Sequence, residues 1–261
     1  MKGDNKKILI PEFSWWYYNK VASECYGTFE MYPLYEKDDT FAYDVDEVIE
    51  YTNRIHPRML LLASPNNPTG NNIMREEIIK VIEQYDGLVI VDEAYIDFSS
   101  EPTILRQLTQ HPNLIVLHTM SKAWGSAAIR LGMAFAQKDI IDIFNKVKYP
   151  YNINLLTQEQ ALKRLNDTVS VERWVNMLLQ ERGKLMQSFS ELPICKQVYP
   201  TDANFFLAKM TNAQDIYDYL VEKGIIVRNR TRITLCQNCL RVTIGTKEEN
   251  SELLGALRMF Q

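Results

Sequence analysis

The sequence has no long hydrophobic run and no basic excess. No apolar stretch approaches the roughly 20 residues that a membrane-spanning helix needs, and the start, MKGDNKKILIPEF, lacks the pattern of a signal peptide. With a net charge of -4 the chain shows no basic face of the kind that binds nucleic-acid backbones. We therefore expect a cytoplasmic protein with no membrane partner and no nucleic-acid partner.

Residues that commonly bind metals are also scarce. The cysteines are Cys25, Cys195, Cys236 and Cys239, and the histidines are scattered far from the last two. The CQNC segment at 236–239 has the spacing of a metal or redox pair, but a zinc site needs a second pair or histidines. We therefore expect free thiols and no metal.

The chain nevertheless has enough apolar residues for a sizeable core, at 46% of 261 residues. In its first half, short apolar runs predict strands at 7–10, 28–34, 59–63, 88–94, 114–118 and 132–136, with helices predicted at about 45–55, 74–85 and 103–109. Strands that are apolar throughout are typical of a sheet buried on both faces, and the alternation with helices favours crossover connections. This pattern predicts an α/β fold with a mainly parallel sheet sandwiched by helices.

The second half has a different pattern. Helices are predicted up to Pro150, at about 155–166 and at 169–190. They are followed by the strands KQVYP and ANFFLAK, the helix AQDIYDYLVEKG, the strands IIVR and CLRVTIGT, and a final helix. We interpret this part as a smaller C-terminal α+β domain joined by a long connecting helix. The predicted division is 1–165 for the large domain and 166–261 for the connecting helix and small domain.

Polar residues follow successive predicted strands of the first half. SPNNPTG (64–70), DEAYIDF (92–98) and TMSK (119–122) each begin at or just after a strand end. Taken singly, these segments have ordinary explanations: a turn, a cap or a lysine that reaches solvent. In a doubly wound sheet, however, ligands bind at the carboxyl ends of the strands. We therefore expect Asn67, Asp92, Tyr95, Ser121 and Lys122 to lie close together.

These motifs, together with SKAWGSAAIRLG, TDANFFLAK, GIIVRNR and NCLRVTIGT, resemble the fold-type I aminotransferases that use pyridoxal 5'-phosphate. Within that group the chain is most similar to the histidinol-phosphate aminotransferases, and the resemblance covers it from about Ile8 onward. It implies transamination between L-histidinol phosphate and 2-oxoglutarate in histidine biosynthesis, with small-molecule amino donors and 2-oxo acids as partners.

The resemblance also implies catalytic roles. Lys122 matches the lysine that forms a Schiff base with the cofactor aldehyde and later moves a proton, and Asp92 matches the carboxylate that keeps the pyridine nitrogen protonated. Asn67 and Tyr95 match the donors to the phenolic oxygen of the ring. On this basis Lys122, Asp92 and Tyr95 are the predicted catalytic residues.

Further positions match groups that bind the cofactor phosphate, the ring or the substrate. Arg130, Ser121 and Thr119 match phosphate ligands, and an arginine suits a phosphate because its planar fork gives paired contacts. Phe13 falls where the family stacks an aromatic side chain on the ring, with a neighbouring Trp or Tyr as the alternative.

Two arginines match substrate-binding positions. Arg241 matches the arginine that binds the substrate carboxylate. Arg228 is a candidate for the distal phosphate or side-chain carboxylate, although Arg230 and Arg232 lie close enough to confuse that assignment.

The chain departs from the family pattern at its start. The N-terminal arm and the segment whose backbone amides hold the cofactor phosphate do not precede Lys7, so we expect a shortened chain with impaired cofactor binding. The resemblance implies a homodimer. The alternatives left open are a threonine-phosphate decarboxylase, an aromatic amino-acid aminotransferase and a catalytically impaired fragment that binds a partner.

Overall fold

The structure, a computed structural model, describes residues 7–24 and 27–260. The strands are β1 (Lys7–Pro11), β2 (Thr28–Tyr32), β3 (Tyr35–Lys37), β4 (Thr40–Ala42), β5 (Met59–Ala63), β6 (Leu88–Asp92), β7 (Leu114–Thr119), β8 (Gly132–Ala136), β9 (Cys195–Val198), β10 (Phe205–Met210), β11 (Arg228–Asn229) and β12 (Cys239–Thr243). The helices are α1 (Tyr17–Glu24), α2 (Val45–Ile55), α3 (Arg75–Gln84), α4 (Lys138–Val147), α5 (Leu155–Leu165), α6 (Thr168–Ser190), α7 (Ala213–Glu222) and α8 (Lys247–Arg258).

The larger sheet contains the apolar strands that the sequence predicts. Its order is β2-β1-β5-β6-β7-β8, and every neighbouring pair is parallel except β7 with β8. Parallel strands require crossover connections, and α3 provides the one between β5 and β6. The predicted mainly parallel α/β fold is confirmed.

One face of this sheet is thoroughly packed. Leu60, Leu62, Val89, Val91 and Val116 project from the central strands into the main core. The apolar stripes of α2 and α3 cover them, and both helices contribute buried valine and isoleucine side chains. Alternate residues of each strand point to opposite faces, so this core accounts for only half of the residues in each strand.

The opposite face is covered only in part. Ile10, Leu61 and Ala63 pack there against Tyr18 of α1. Toward β8 the cover ends, and Gly132 and Ala134 are exposed. The result is an open area on this face, next to the carboxyl ends of β5, β6 and β7.

The smaller sheet is antiparallel, with the order β11-β12-β10-β9. Its apolar face packs against α6, α7 and α8, and Phe189 of α6 contacts Phe206 of β10 edge to face. In α6, the Arg182 guanidinium donates to the carbonyl oxygens of Phe98 (3.2 Å) and Ala203 (3.0 Å), which ties the long helix to loops from both halves of the chain. The predicted α+β character of this part is confirmed, while the boundary near residue 165 stays a prediction.

Some local predictions are wrong. The segment predicted as a helix at 103–109 forms only a short 3-10 turn, Ile104–Gln107. Pro102 and Pro112 bound this segment, and so short a stretch cannot sustain an α-helix. The predicted strand IIVR begins only at Arg228, and it continues into Asn229.

Two elements were not predicted at all: helix α1 and the hairpin of β3 and β4. The hairpin turns at Asp38 and Asp39, both of which have positive φ angles (49° and 62°). Asp-Asp is a weaker hairpin signal than a pair containing glycine.

The CQNC segment is part of the core. Cys236 and Cys239 are fully buried, and burial raises the pKa of each thiol to about 12. These two cysteines and Cys195 are free, whereas Cys25 lies outside the described residues. Within 7–24 and 27–260 no cluster of His, Cys, Asp and Glu suited to a metal ion occurs. None of the helices described there has the length and hydropathy needed to cross a membrane.

Candidate active site

A cavity of about 870 Å³ opens on the partly covered face of the larger sheet, at the carboxyl ends of β5, β6 and β7. It contains nearly all the side chains that the sequence predicts for the site. The predicted residues that line it are Asn67, Asp92, Tyr95, Thr119, Ser121, Lys122, Arg130, Arg228 and Arg241.

Lys122 lies in a tight turn directly after β7. The Gly125 amide donates to the Lys122 carbonyl (2.9 Å), and the Ser126 amide donates to the Met120 carbonyl (2.9 Å), which fixes the turn. The Lys122 ammonium lies 5.2 Å from the centre of the Tyr95 ring. Among the ion pairs of the described residues, Lys122 has none. Its amine is therefore exposed to the cavity and not occupied by a carboxylate.

Asp92 ends β6 and lines the cavity. Its Oδ2 accepts a hydrogen bond from the Tyr18 hydroxyl (2.6 Å), and its Oδ1 accepts one from the Ala94 amide (3.0 Å). Burial raises the pKa of Asp92, and these two hydrogen bonds and the nearby His118 oppose that rise. The sequence pattern offers a neighbouring Tyr only as an alternative to Phe13, and it does not single out Tyr18 because nothing in YYNKVASE distinguishes one tyrosine from the other.

Glu93, the next residue, is buried and points into the protein on the other side of the strand. It accepts hydrogen bonds from the Ile104 amide (2.7 Å) and from the hydroxyl of Thr103, and its other contact is the His118 ring nitrogen (2.8 Å). A buried carboxylate is tolerated only when it is bonded in this way. These contacts hold the ends of β6 and β7 in register, with Asp92 on one strand and the Lys122 turn on the other.

The SPNNPTG segment forms a compact turn that presents Asn67 to the cavity. Asn66 is fully buried, and its Nδ2 donates to the Phe13 carbonyl (2.8 Å) and to Thr69 Oγ1 (2.7 Å). Gly70 has a φ of 79°, and a Cβ there would lie 2.2 Å from Thr201 Oγ1, so only glycine fits.

The predicted phosphate ligands lie together beside the lysine. The Ser121 amide donates to Thr119 Oγ1 (3.1 Å), which joins two of these residues. Arg130 has a left-handed backbone conformation (φ 54°), and its Nη1 donates to the Ala127 carbonyl (2.8 Å). Both the hydroxyl groups and the guanidinium line the cavity, and they supply donors for an anion.

The opposite wall carries arginines from the smaller sheet. Arg241 pairs with Arg228 across β12 and β11, and Arg230 follows on the same strand edge. The Arg241 Nη1 donates to Asn67 Oδ1 (2.6 Å), and its guanidinium lies 4.8 Å from the centre of the Phe205 ring. This contact links the two sheets at the cavity.

In the part of the chain that the structure describes, none of these arginines forms an ion pair with a carboxylate. Burial and then Arg230 lower the pKa of Arg241 to about 10, and burial and then Arg228 lower the pKa of Arg230. The Nε atoms of Arg230 and Arg241 are buried without a hydrogen-bond partner. Buried donors without acceptors are costly, so this wall is suited to an anionic ligand. The sequence pattern left the choice among Arg228, Arg230 and Arg232 open; the structure brings Arg228 and Arg230 to the cavity.

Phe13 is not brought to the cavity. It is buried in the main core, and the aromatic side chains that line the cavity from this segment are Trp15, Trp16 and Tyr18. The neighbouring aromatics named as the alternative therefore line the cavity, and a stacking role for any of them stays a prediction. Phe13 stays in the core because Asn66 Nδ2 donates a hydrogen bond to its carbonyl oxygen and fixes the backbone there, so that the residues after it lie at the cavity opening.

Comparisons with known proteins show the family to which this chain belongs. The family described as "Aminotransferase class I and II" matches residues 1–257. A histidinol-phosphate aminotransferase of Bacteroides fragilis (strain YCH46) is 56% identical over 223 residues, which cover 85% of this chain and 64% of the relative. The chain thus spans less than two thirds of the length of that relative.

Solved structures show the same fold. The histidinol-phosphate aminotransferase of Clostridium acetobutylicum superposes with a TM-score of 0.89 at 25% identity, covering 97% of this chain and 77% of that one. The enzyme of Sinorhizobium meliloti, solved in complex with pyridoxal-5'-phosphate, has a TM-score of 0.87 at 20% identity, covering 99% and 71%. The chain belongs to the class I and II aminotransferase family.

Proposed function

We propose that the protein is a pyridoxal 5'-phosphate-dependent aminotransferase that exchanges the amine of L-histidinol phosphate with 2-oxoglutarate. The main supporting observation is one cavity that contains a lysine amine, a part-buried carboxylate and arginines, with no ion pair to the lysine or these arginines among the described residues. The identity to histidinol-phosphate aminotransferases supports the substrate.

The residues of the cavity fit the cofactor. Arg130, Ser121 and Thr119 supply the donors that a phosphate needs, and Asp92 supplies a carboxylate for a protonated ring nitrogen. Asn67 and Tyr95 line the same cavity and would supply the donors to the phenolic oxygen. The pocket is of a size typical of small-molecule sites.

When bound, pyridoxal 5'-phosphate supplies an aldehyde that condenses with amines and a ring that accepts electrons. Lys122 would provide the amine for that aldehyde, and its Nζ would be the base that carries a proton to and from the substrate carbon. In its ionised form, Asp92 would accept a hydrogen bond from the ring nitrogen and so keep that nitrogen protonated. Asn67, which its turn presents to the cavity, would help to orient the ring.

The arginine wall would bind the substrate. Arg241 is the proposed ligand of the substrate carboxylate in the 2-oxoglutarate half-reaction, and Arg228 is the proposed ligand of the distal phosphate or second carboxylate. A decarboxylase of threonine phosphate or an aromatic aminotransferase would use the same cofactor residues, but the sequence comparison favours neither.

We further infer a homodimer in the cytoplasm. Large apolar side chains between α4 and α6 support a second subunit, because Val147, Tyr149, Tyr151 and Leu156 are all more than 70% exposed. The absence of a membrane-spanning helix among the described residues is compatible with the location.

Reductive trapping tests the proposal. Borohydride treatment of the protein with pyridoxal 5'-phosphate, followed by peptide mass spectrometry, should find the adduct on Lys122. An adduct on another lysine, or on none, would contradict the assignment. Parallel assays with histidinol phosphate, phenylalanine and threonine phosphate then test the substrate, since faster turnover of phenylalanine would rule out the first choice.

A further inference from the structure

Helix α1 places one hydroxyl group on the carboxylate of the candidate site. Tyr18 is separated from Asp92 by 74 positions in sequence, yet its hydroxyl donates to Asp92 Oδ2 at 2.6 Å. Both side chains line the cavity. The hydrogen bond therefore forms at the cavity wall and not in the interior of the core.

The contact has the geometry of a charge-assisted hydrogen bond. Its length falls in the range of O–H···O⁻ bonds, which are roughly twice as strong as neutral ones. Burial and the adjacent carboxylate raise the pKa of Tyr18, so the phenol keeps its proton and remains the donor. Asp92 can then be only the acceptor in this pair.

The two oxygens of Asp92 are held by different elements. The Ala94 amide holds Oδ1 from the chain that follows β6, and Tyr18 holds Oδ2 from α1. Two fixed donors define the plane of a carboxylate, and each oxygen keeps a second lone pair for another donor. The carboxylate is thereby oriented while it can still accept a proton donor in the cavity.

We propose that Tyr18 is a positioning residue that keeps the Asp92 carboxylate ionised and aimed into the cavity. The charged groups that face Asp92 are few: His118 on β7 favours the ionised form, and Glu93 on β6 opposes it. These two side chains are themselves paired, with His118 Nε2 2.8 Å from Glu93 Oε2. The hydroxyl of Tyr18 is then the strongest side-chain influence that favours the charge.

This inference depends on the proposed function only for its catalytic consequence, and the first measurement does not depend on it. Carbon-13 NMR titration of the Asp92 side-chain carboxyl is carried out on the cofactor-free protein and on Tyr18→Phe. The variant should titrate at higher pH than the wild type. Tyr17→Phe is the matched control, because it removes a hydroxyl from the adjacent residue, which does not bond to Asp92.

The second measurement is the affinity for pyridoxal 5'-phosphate, followed by fluorescence. Tyr18→Phe should weaken binding about tenfold, the size expected for a hydrogen bond to a charged group. Asp92→Asn provides the double-mutant cycle, and in that background the loss of the Tyr18 hydroxyl should have little further effect. Circular dichroism melts confirm that each variant is folded.

The outcomes separate the two ideas. If Asp92 titrates at higher pH in Tyr18→Phe but neither protein binds the cofactor, the positioning role stands and the proposed function fails. If the wild type binds the cofactor while Tyr18→Phe matches it in both Asp92 titration and affinity, the positioning role is overturned and the proposed function stands.

Discussion

The two faces of the larger sheet differ, although they are made by the same strands. On one face Leu60, Leu62 and Val91 are buried under α2 and α3. On the other, the alternate residues Leu61 and Ala63 pack with α1, and further along the face Asp92 and Leu117 line the cavity. The packed face supplies most of the hydrophobic burial, and the partly open face supplies the chemistry.

This difference shows how one set of strands can provide both the hydrophobic core and the residues of the candidate site. A strand directs successive side chains to opposite faces, so Val91 belongs to the core while Asp92 faces the cavity. Changes on the open face should therefore alter function more than stability, and changes on the packed face should do the reverse.

Among changes on the open face, the largest loss of turnover should come from replacing Lys122. Lys122→Ala removes the proposed proton carrier, and turnover should fall about 100- to 10,000-fold, the range for general acid–base groups. The measurement is steady-state transamination with saturating cofactor. Lys138→Ala is the control, because that lysine lies on the surface in an ion pair with Asp142. Similar losses in both variants would contradict a special role for Lys122.

The next effect should come from Asp92. Asp92→Ala removes the part-buried carboxylate of the open face, and turnover should fall on the order of 100-fold, as when one preorganised electrostatic group is lost. Asp97→Ala changes an exposed carboxylate of the same DEAYIDF segment and should stay within about twofold. The ratio of the two turnover numbers is the measurement, and a ratio near one would refute the assignment.

A pair of leucines tests the packed face. Leu60→Ala creates a cavity in the main core, so the free energy of unfolding should fall by about 2–5 kcal/mol. Leu117→Ala changes a partly exposed residue of the cavity wall, where the loss should be about 1 kcal/mol. Urea unfolding of the cofactor-free protein measures both. Equal losses of unfolding free energy in the two variants would mean that the two faces of the sheet contribute equally to stability.

The smallest effect concerns pH. Burial raises the pKa of Asp92 above its ordinary value of 3.8, so between that value and the raised one the folded state binds more protons than the unfolded state. The contribution of Asp92 to stability is therefore greatest at the acidic end and declines as pH rises through this window. Asp92→Asn removes the decline, so its stability relative to the wild type should increase with pH.

Urea unfolding of the cofactor-free protein between pH 4 and about 7 follows this difference. Asp86→Asn, an exposed change in a loop, sets the baseline. A difference between Asp92→Asn and the wild type that stays constant across the range would show that burial does not perturb this carboxyl.

Much of the fold follows from local patterns. The strands β5, β6 and β7 were predicted closely because each is an uninterrupted apolar run followed by polar residues. The hairpin of β3 and β4 and helix α1 were missed because their signals are weak over short lengths. The apolar periodicity of 103–109 predicts a helix, whereas only a 3-10 turn forms at Ile104–Gln107, because the periodicity does not reveal that the segment is too short for an α-helix.

The residues of the candidate site likewise include some that local patterns predict and some that they do not. Residues that follow strands directly, such as Asp92 and Lys122, could be grouped from the sequence because parallel strands end at one edge. Arg230 could not be separated from Arg232 by pattern, and Phe13 could not be separated from the aromatics that follow it. Those choices depend on how each segment packs, through contacts such as the hydrogen bond from Asn66 to the Phe13 carbonyl.

The sequence by itself determined the α/β class, because that class depends on short-range hydrophobic patterns. It also determined that Asp92 and Lys122 lie at one edge of the sheet, because both residues are at the ends of predicted strands. Tertiary structure alone decided that Tyr18 bonds to Asp92 and that Arg241 bonds to Asn67, contacts that span 74 and 174 positions. Such pairs form only when α1 and the smaller sheet pack against the rim of the larger sheet, and packing geometry is a property of the whole chain.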